Sequence, residues 1–120
     1  MTPSEIVAID AERLGYDGNI VMRKIAKLVK TGAGILLQEG NTLLLLIAIG
    51  NDSAEVHLYT ADSGLKLLGA LKGIIKKVRD SDLSAIYSSF NAPEIINMIE
   101  QAGITVEKSD LPNYRWMAIA

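Results

Sequence analysis

The chain has 120 residues, of which 49% are hydrophobic and 22% charged, which is typical of a single globular domain over residues 1–120. It has no cysteine, which excludes disulfides, thiolate metal sites and a cysteine nucleophile. The net charge of −2 disfavours nucleic-acid binding by the whole surface. The longest apolar run, Leu43 to Ile49, is too short to cross a membrane. Residues 1–15 lack a signal-peptide pattern, so we expect a cytoplasmic protein.

Two helices are predicted at the start of the chain. Thr2 to Glu5 has the pattern of a capping box with proline at the first helical position, and Gly15 ends this helix. The second helix is predicted to begin after Asp17 or Asn19 and to end at Gly32, because apolar residues recur at helical spacing. Its other faces carry the basic residues Arg23, Lys24, Lys27 and Lys30. We expect this basic surface to be solvated.

Three strands are predicted next, at residues 34–39, 42–49 and 54–60. Turn signals separate them, with Gly40-Asn41 as a two-residue turn. The middle strand is continuously apolar, so we expect it to be buried on both faces and central in the sheet. The third strand alternates apolar and polar residues, which is typical of a strand with two different faces.

Helices and strands alternate in the second half of the chain. Asp62 is predicted to cap the third helix, and Asn91 to Glu94 has the pattern of a second capping box. The predicted elements are a helix at 63–79, a strand at 83–88, a helix at 91–102 and strands at 104–108 and 114–119. The order α-α-β-β-β-α-β-α-β-β predicts an α/β fold with one mixed, mostly antiparallel sheet and helices on both faces.

This order, with these lengths, resembles the GNAT fold of acetyl-coenzyme A-dependent N-acetyltransferases over residues 2–119. The strand–helix unit at 54–79 is similar to the cofactor-binding unit of the family. Phe90 to Ile104 resembles its asparagine-led helix, and Tyr114 to Met117 resembles its closing strand. In the family, backbone amides and a basic residue of the cofactor loop hold the pyrophosphate of coenzyme A.

The sequence departs from the family pattern in three ways. The loop from Thr60 to Leu65 has one glycine and no basic residue, and Asp62 places a carboxylate where the phosphates lie in the family. In the family, a tyrosine midway along the fourth helix can protonate the leaving thiolate. The matching position in this chain is near Met98, and Tyr87 is the nearest substitute in the sequence. The opening strand of the family is missing, so we expect a sheet edge that a partner covers.

These departures favour a degenerate, non-catalytic acetyltransferase-like domain that binds no cofactor. It acts in this interpretation as a binding or assembly module, with a protein partner or with copies of itself. Small divergent GNAT-like proteins are encoded by bacteriophages, including the internal virion protein family of short-tailed phages. The resemblance therefore implies a phage particle or the host cytoplasm. A weaker alternative is an inhibitor of a host protein that acts through the basic faces of the second and third helices, the latter including Lys72, Lys76 and Lys77.

The rival hypothesis is a working acetyl-coenzyme A-dependent N-acetyltransferase. Glu55 or His57, on one face of the third strand, is then the general base, and Tyr87 is the acid. Acetyl-coenzyme A is then the cofactor, lying along this strand with its pyrophosphate on the amides of the next helix. The candidate cofactor-binding residues are Leu58, Thr60, Ser63, Gly64 and Leu65. The single histidine argues against a metal site.

Structural explanations stand beside these functional ones. Glu55 and His57 are also explained as polar residues on a half-buried strand face. Tyr114 and Trp116 share a face of the predicted last strand. They belong either to the core or to an edge that pairs with another copy.

Overall fold

The computed structural model describes residues 1–119, and Ala120 lies outside the described part. The observed order is the predicted one, which confirms the α/β class with one mixed, mostly antiparallel sheet. The elements are α1 (Pro3–Leu14), α2 (Gly18–Lys30), β1 (Gly34–Glu39), β2 (Thr42–Ala48), β3 (Ser53–Thr60), α3 (Gly64–Arg79), β4 (Ala85–Ser88), α4 (Pro93–Gln101), β5 (Thr105–Lys108) and β6 (Trp116–Ile119).

The six strands form one sheet in the order β1-β2-β3-β4-β6-β5. All neighbours are antiparallel except β3 and β4, which run parallel. Their pairing ends where Glu55 lies opposite Tyr87, although β3 continues to Thr60. Beyond that point β4 stays paired with β6, so β3 and β4 separate. This separation opens the sheet near its middle.

Two apolar clusters cover the two faces of the sheet. Ile6 of α1 and Ile25 of α2 pack with Leu43 and Leu45 on one face. On the other face, Leu44 and Leu46 pack among side chains of α3 and α4. Successive residues of β2 therefore enter opposite clusters, which confirms the prediction that this strand is buried on both sides. No helix within residues 1–119 is both long and apolar enough to cross a membrane.

Local signals predict the helix starts with mixed success. The capping box of α1 is confirmed, because Thr2 Oγ1 accepts the N–H of Glu5 and Glu5 Oε1 accepts the N–H of Thr2. The predicted capping box of α4 is wrong, since Ala92 occupies the cap position without a side-chain bond. Pro93 takes the first helical position and keeps the preceding residue out of the helical conformation. Asn91 consequently lies one residue too early to cap the helix.

The last strand is internal. β6 lies between β4 and β5, so the interpretation of this strand as a free edge is wrong. Trp116 is buried, and its ring meets that of Phe90 edge-on with centroids 5.3 Å apart. Tyr114 precedes β6 and belongs to the loop that follows β5. The free edges of the sheet are β1 and β5.

Candidate active site

A cleft of about 620 Å³ opens where β3 and β4 separate. His57 and Tyr59 project to the α1–α2 side of β3, whereas Leu58 projects to the α3–α4 side. Side chains of α2 and α4 also line the cleft, although these helices lie on opposite faces of the sheet. The cleft therefore passes through the sheet. Its walls include Arg13, Tyr16, Lys24, Phe90, Asn91 and Ile95.

Glu55 and His57 form a hydrogen-bonded pair on β3. His57 Nε2 lies 2.6 Å from Glu55 Oε2. An ionised carboxylate only accepts hydrogen bonds, so this contact assigns the proton to Nε2 and leaves Nδ1 free to take up another. The imidazole, with 40% of its side chain exposed, lines the cleft. This is the arrangement of a base that a second group orients.

Tyr114 holds the other oxygen of the same carboxylate. Its hydroxyl donates to Glu55 Oε1 at 2.8 Å. Burial alone raises the pKa of Glu55, but the hydrogen bonds from His57 and Tyr114, together with the charge of His57, bring that pKa below its usual value. The bond to Glu55 raises the pKa of the Tyr114 hydroxyl. Glu55 is thus an ionised carboxylate with a partner on each oxygen.

Tyr87 lies beside this pair. It is the register neighbour of Glu55 on β4, and its ring lies 5.6 Å from that of Tyr114. Its hydroxyl donates to Asp110 Oδ1 at 2.9 Å, a bond that raises the pKa of Tyr87. The structure therefore brings the three predicted catalytic residues to one face of the sheet, with the Tyr87 proton engaged by Asp110.

The end of β3 is tied to α1. Asp10, which is buried, accepts the N–H of Thr60 at 3.1 Å. Arg13 Nη2 lies 2.9 Å from Asp10 Oδ1 and also donates to the carbonyl of Thr60 at 3.3 Å. Leu58 and Thr60, two of the predicted cofactor-binding residues, line the cleft here. These bonds make α1 a fixed wall of the cleft.

The start of α3 carries the other three predicted cofactor-binding residues. Ser63 is the cap residue, and Gly64 has a φ of +55°, a conformation that favours glycine. Leu65 is 86% exposed. Among the described residues no side chain caps this helix. Its first N–H groups are therefore open to an anion.

The prediction that Asp62 caps α3 is wrong. Asp62 is buried, and its Oδ2 accepts the N–H of Asn41 at 2.9 Å and the hydroxyl of Thr42 at 3.0 Å. The carboxylate thus serves the turn between β1 and β2 instead of the start of α3. Two hydrogen bonds thus hold Oδ2 of this carboxylate at the turn.

Sequence reasoning missed two parts of the site. Tyr114 and Glu55 are 59 residues apart in the chain, and no local pattern connects them. Arg13 and Lys24 line the cleft, whereas no pattern in the sequence indicates a place for either residue in a site. The alternation of polar residues in β3 was the one signal that pointed to the site.

No protein-family model matches the chain, and no curated protein sequence matches it. Among solved structures, the chain is similar to the spermidine N-acetyltransferase SpeG chimera from Vibrio cholerae and hSSAT. The two are 16% identical over 85% of this chain and 74% of that chain, with a TM-score of 0.49.

Proposed function

We propose that this protein transfers an acyl group from a coenzyme A thioester to an amine, with His57 as the general base. The observation that carries the proposal is the chain of hydrogen bonds from Tyr114 through Glu55 to His57 at the wall of the cleft. A cleft that passes through the sheet offers access to this base from both faces. One side can admit the thioester and the other the amine.

The residues at the start of α3 fit a coenzyme A phosphate. Their N–H groups have no side-chain cap, and Asp62 is occupied by the turn between β1 and β2. Ser63, Gly64 and Leu65 would hold the pyrophosphate of coenzyme A. Leu58 and Thr60 would line the part of the cofactor that lies along β3. When bound, the cofactor supplies an acyl group activated as a thioester.

His57 accepts the proton that the amine loses as the new C–N bond forms and the C–S bond of the thioester breaks; the departing thiolate takes up a proton and leaves as the free thiol. The positive imidazolium that results lies against the ionised Glu55, which stabilises it. Tyr114 keeps Glu55 in place by holding its second oxygen. Proton transfer by a positioned base contributes about 10²–10⁴-fold to a rate. The role of Tyr87 as the acid stays a prediction.

Release of free thiol from acetyl-coenzyme A in the presence of amines tests this proposal. His57→Gln should lower the rate about 10²-fold or more, and Glu55→Gln should lower it by less. Glu107→Gln is the matched control, since Glu107 is an exposed glutamate of β5. Thermal unfolding gives an independent measure of binding, because acetyl-coenzyme A at 100 times its Kd stabilises the chain by about 2.7 kcal/mol. Absence of both stabilisation and thiol release contradicts the proposal.

A second candidate is the non-catalytic binding or assembly module. Two observations favour it: no basic residue lies between Ala61 and Leu65, and β1 is a free edge on which Ile35 is 61% exposed. Sedimentation that depends on protein concentration, combined with no response to acetyl-coenzyme A, supports this candidate. The virion role and the inhibition of a host protein stay predictions.

A further inference from the structure

We infer that the acceptor amine carries a carboxylate on an apolar body, which makes it an amino acid in chemical class. The inference rests on the proposed acyl transfer and names its second substrate. It comes from the part of the cleft wall that α1 and α2 supply, on the side of the sheet where His57 projects.

The charges on this wall leave one cation without a partner. Asp10 is buried and accepts from both Arg13 and the N–H of Thr60. Glu55, beside His57, has a partner on each oxygen. Lys24 lines the cleft and forms no ion pair with any residue in 1–119. Lys24 is therefore a positive charge at this wall that a ligand can reach.

Apart from Asn91, most of the remaining wall is apolar or aromatic. It accommodates a hydrocarbon or an aromatic ring next to the ammonium group of Lys24. A polyamine would place a second positive charge beside the ammonium group of Lys24, so this part of the wall favours a carboxylate over a polyamine. The residues that form this surface are Leu14, Tyr16, Val21 and Tyr59, and Phe90 lines the cleft from the α3–α4 side of the sheet.

The size of the cleft allows two ligands. Its volume of about 620 Å³ falls within the range of about 300–1,000 Å³ that is usual for sites of drug-sized ligands. An amino acid fills only part of such a volume, so the arm of an acyl donor can lie beside it. Lys24 acts in this arrangement as a specificity-determining residue, because its contact selects the acceptor without touching the transferred acyl group.

Two amines that differ only in a carboxylate test the inference. L-Phenylalanine should be acetylated with a kcat/KM about tenfold higher than that of phenethylamine, since a hydrogen bond to a charged group contributes on this scale. Lys24→Gln should bring the ratio near one, and Lys24→Glu should reverse it. Lys27→Glu is the matched control: Lys27 is an exposed lysine of the same helix that does not line the cleft, so the ratio should persist.

Direct binding gives a readout that needs no turnover. In an NMR titration, N-acetyl-L-phenylalanine should bind about fivefold to tenfold more tightly than N-acetylphenethylamine. Lys24→Gln should abolish this difference, and Lys27→Glu should preserve it. These two ligands lack the charge of the amine, so the difference between their affinities measures the effect of the carboxylate alone.

The possible outcomes separate the two proposals. Transfer to phenethylamine or spermidine as efficient as transfer to L-phenylalanine overturns this inference and leaves the acyl transfer intact. Selective binding of N-acetyl-L-phenylalanine without any transfer supports the carboxylate site and contradicts the acyl transfer. Equal binding of the two N-acetyl compounds overturns the inference whatever the activity.

Discussion

The two faces of β3 differ although a single strand supplies both. Ala54 and Val56 face α3 and α4, and each is only 2% exposed. Glu55 and His57, which alternate with them, project to the other face and bond to each other. Because the side-chain period of a strand is two, burial of one face fixes which residues the other face presents. The core on one side thus sets the register of the candidate site on the other.

Removing core volume on the apolar side of β3 should have the largest effect on stability. Ile74 of α3 is 1% exposed in the cluster that covers Ala54 and Val56. Ile74→Ala should lower the free energy of unfolding by about 2–5 kcal/mol through lost burial and a residual cavity. Leu65→Ala, at an 86% exposed position of the same helix, should change it by less than about 0.5 kcal/mol. Urea unfolding measures both, and similar losses in the two variants contradict the assignment of the core.

A second test extends the comparison to the residue just beyond the end of β3. Asp62→Ala should lower the free energy of unfolding by about 1–3 kcal/mol, because the part-buried N–H of Asn41 and the buried hydroxyl of Thr42 lose this acceptor. Asp62→Asn is the matched control, since an amide oxygen can keep both bonds without the charge. If Asp62 serves the turn alone, Asp62→Asn leaves the affinity for acetyl-coenzyme A unchanged. A clear gain in affinity, measured by calorimetry, shows instead that the carboxylate opposes the phosphate.

The order of the elements was predictable because its signals are local. The capping box at Thr2, the turn at Gly40-Asn41 and the apolar run of β2 depend on residues a few positions apart. Asp62 was misassigned because an acidic residue before a helix has two uses, and only the folded chain brings the N–H of Asn41 within 2.9 Å of it.

The candidate site was only partly predictable. The placement of Glu55 and His57 on one strand face follows from the period of a strand. The bond from Tyr114 and the cleft wall from Lys24 depend on packing between distant segments. That packing depends on where β3 and β4 separate, and no residue pattern in either strand predicts this point.

Removing the Tyr114 hydroxyl tests its role on the polar face of β3. Tyr114→Phe should lower the free energy of unfolding by about 0.5–1.5 kcal/mol, the usual net contribution of a hydrogen bond. It should also raise the pKa of Glu55, since this bond is one of the causes that lower it. Tyr87→Phe is the matched control, because that hydroxyl bonds to Asp110 and not to Glu55. Titration of the glutamate carboxyl carbons by NMR measures the pKa, and an equal rise in both variants contradicts the role of Tyr114.

The smallest effect is the pH dependence that Glu55 gives to stability. Its pKa in the folded chain lies below the usual 4.5, so between the two values the unfolded chain binds more protons. The stabilisation by Glu55 is therefore complete above about pH 4.5 and is lost as the pH falls through the lowered value. The effect is small because 28% of the Glu55 side chain is exposed and water screens its interactions.

Urea unfolding of Glu55→Gln at about pH 7 and about pH 3 measures this dependence. The difference in unfolding free energy between the native chain and this variant should be largest at neutral pH and should shrink in acid. For the exposed Glu107→Gln the difference should stay the same at both pH values. A difference for Glu55→Gln that grows in acid means that the folded chain raises the pKa of Glu55. In that case burial outweighs the bonds from His57 and Tyr114, and the polar face of β3 holds a neutral acid instead of the carboxylate that orients His57.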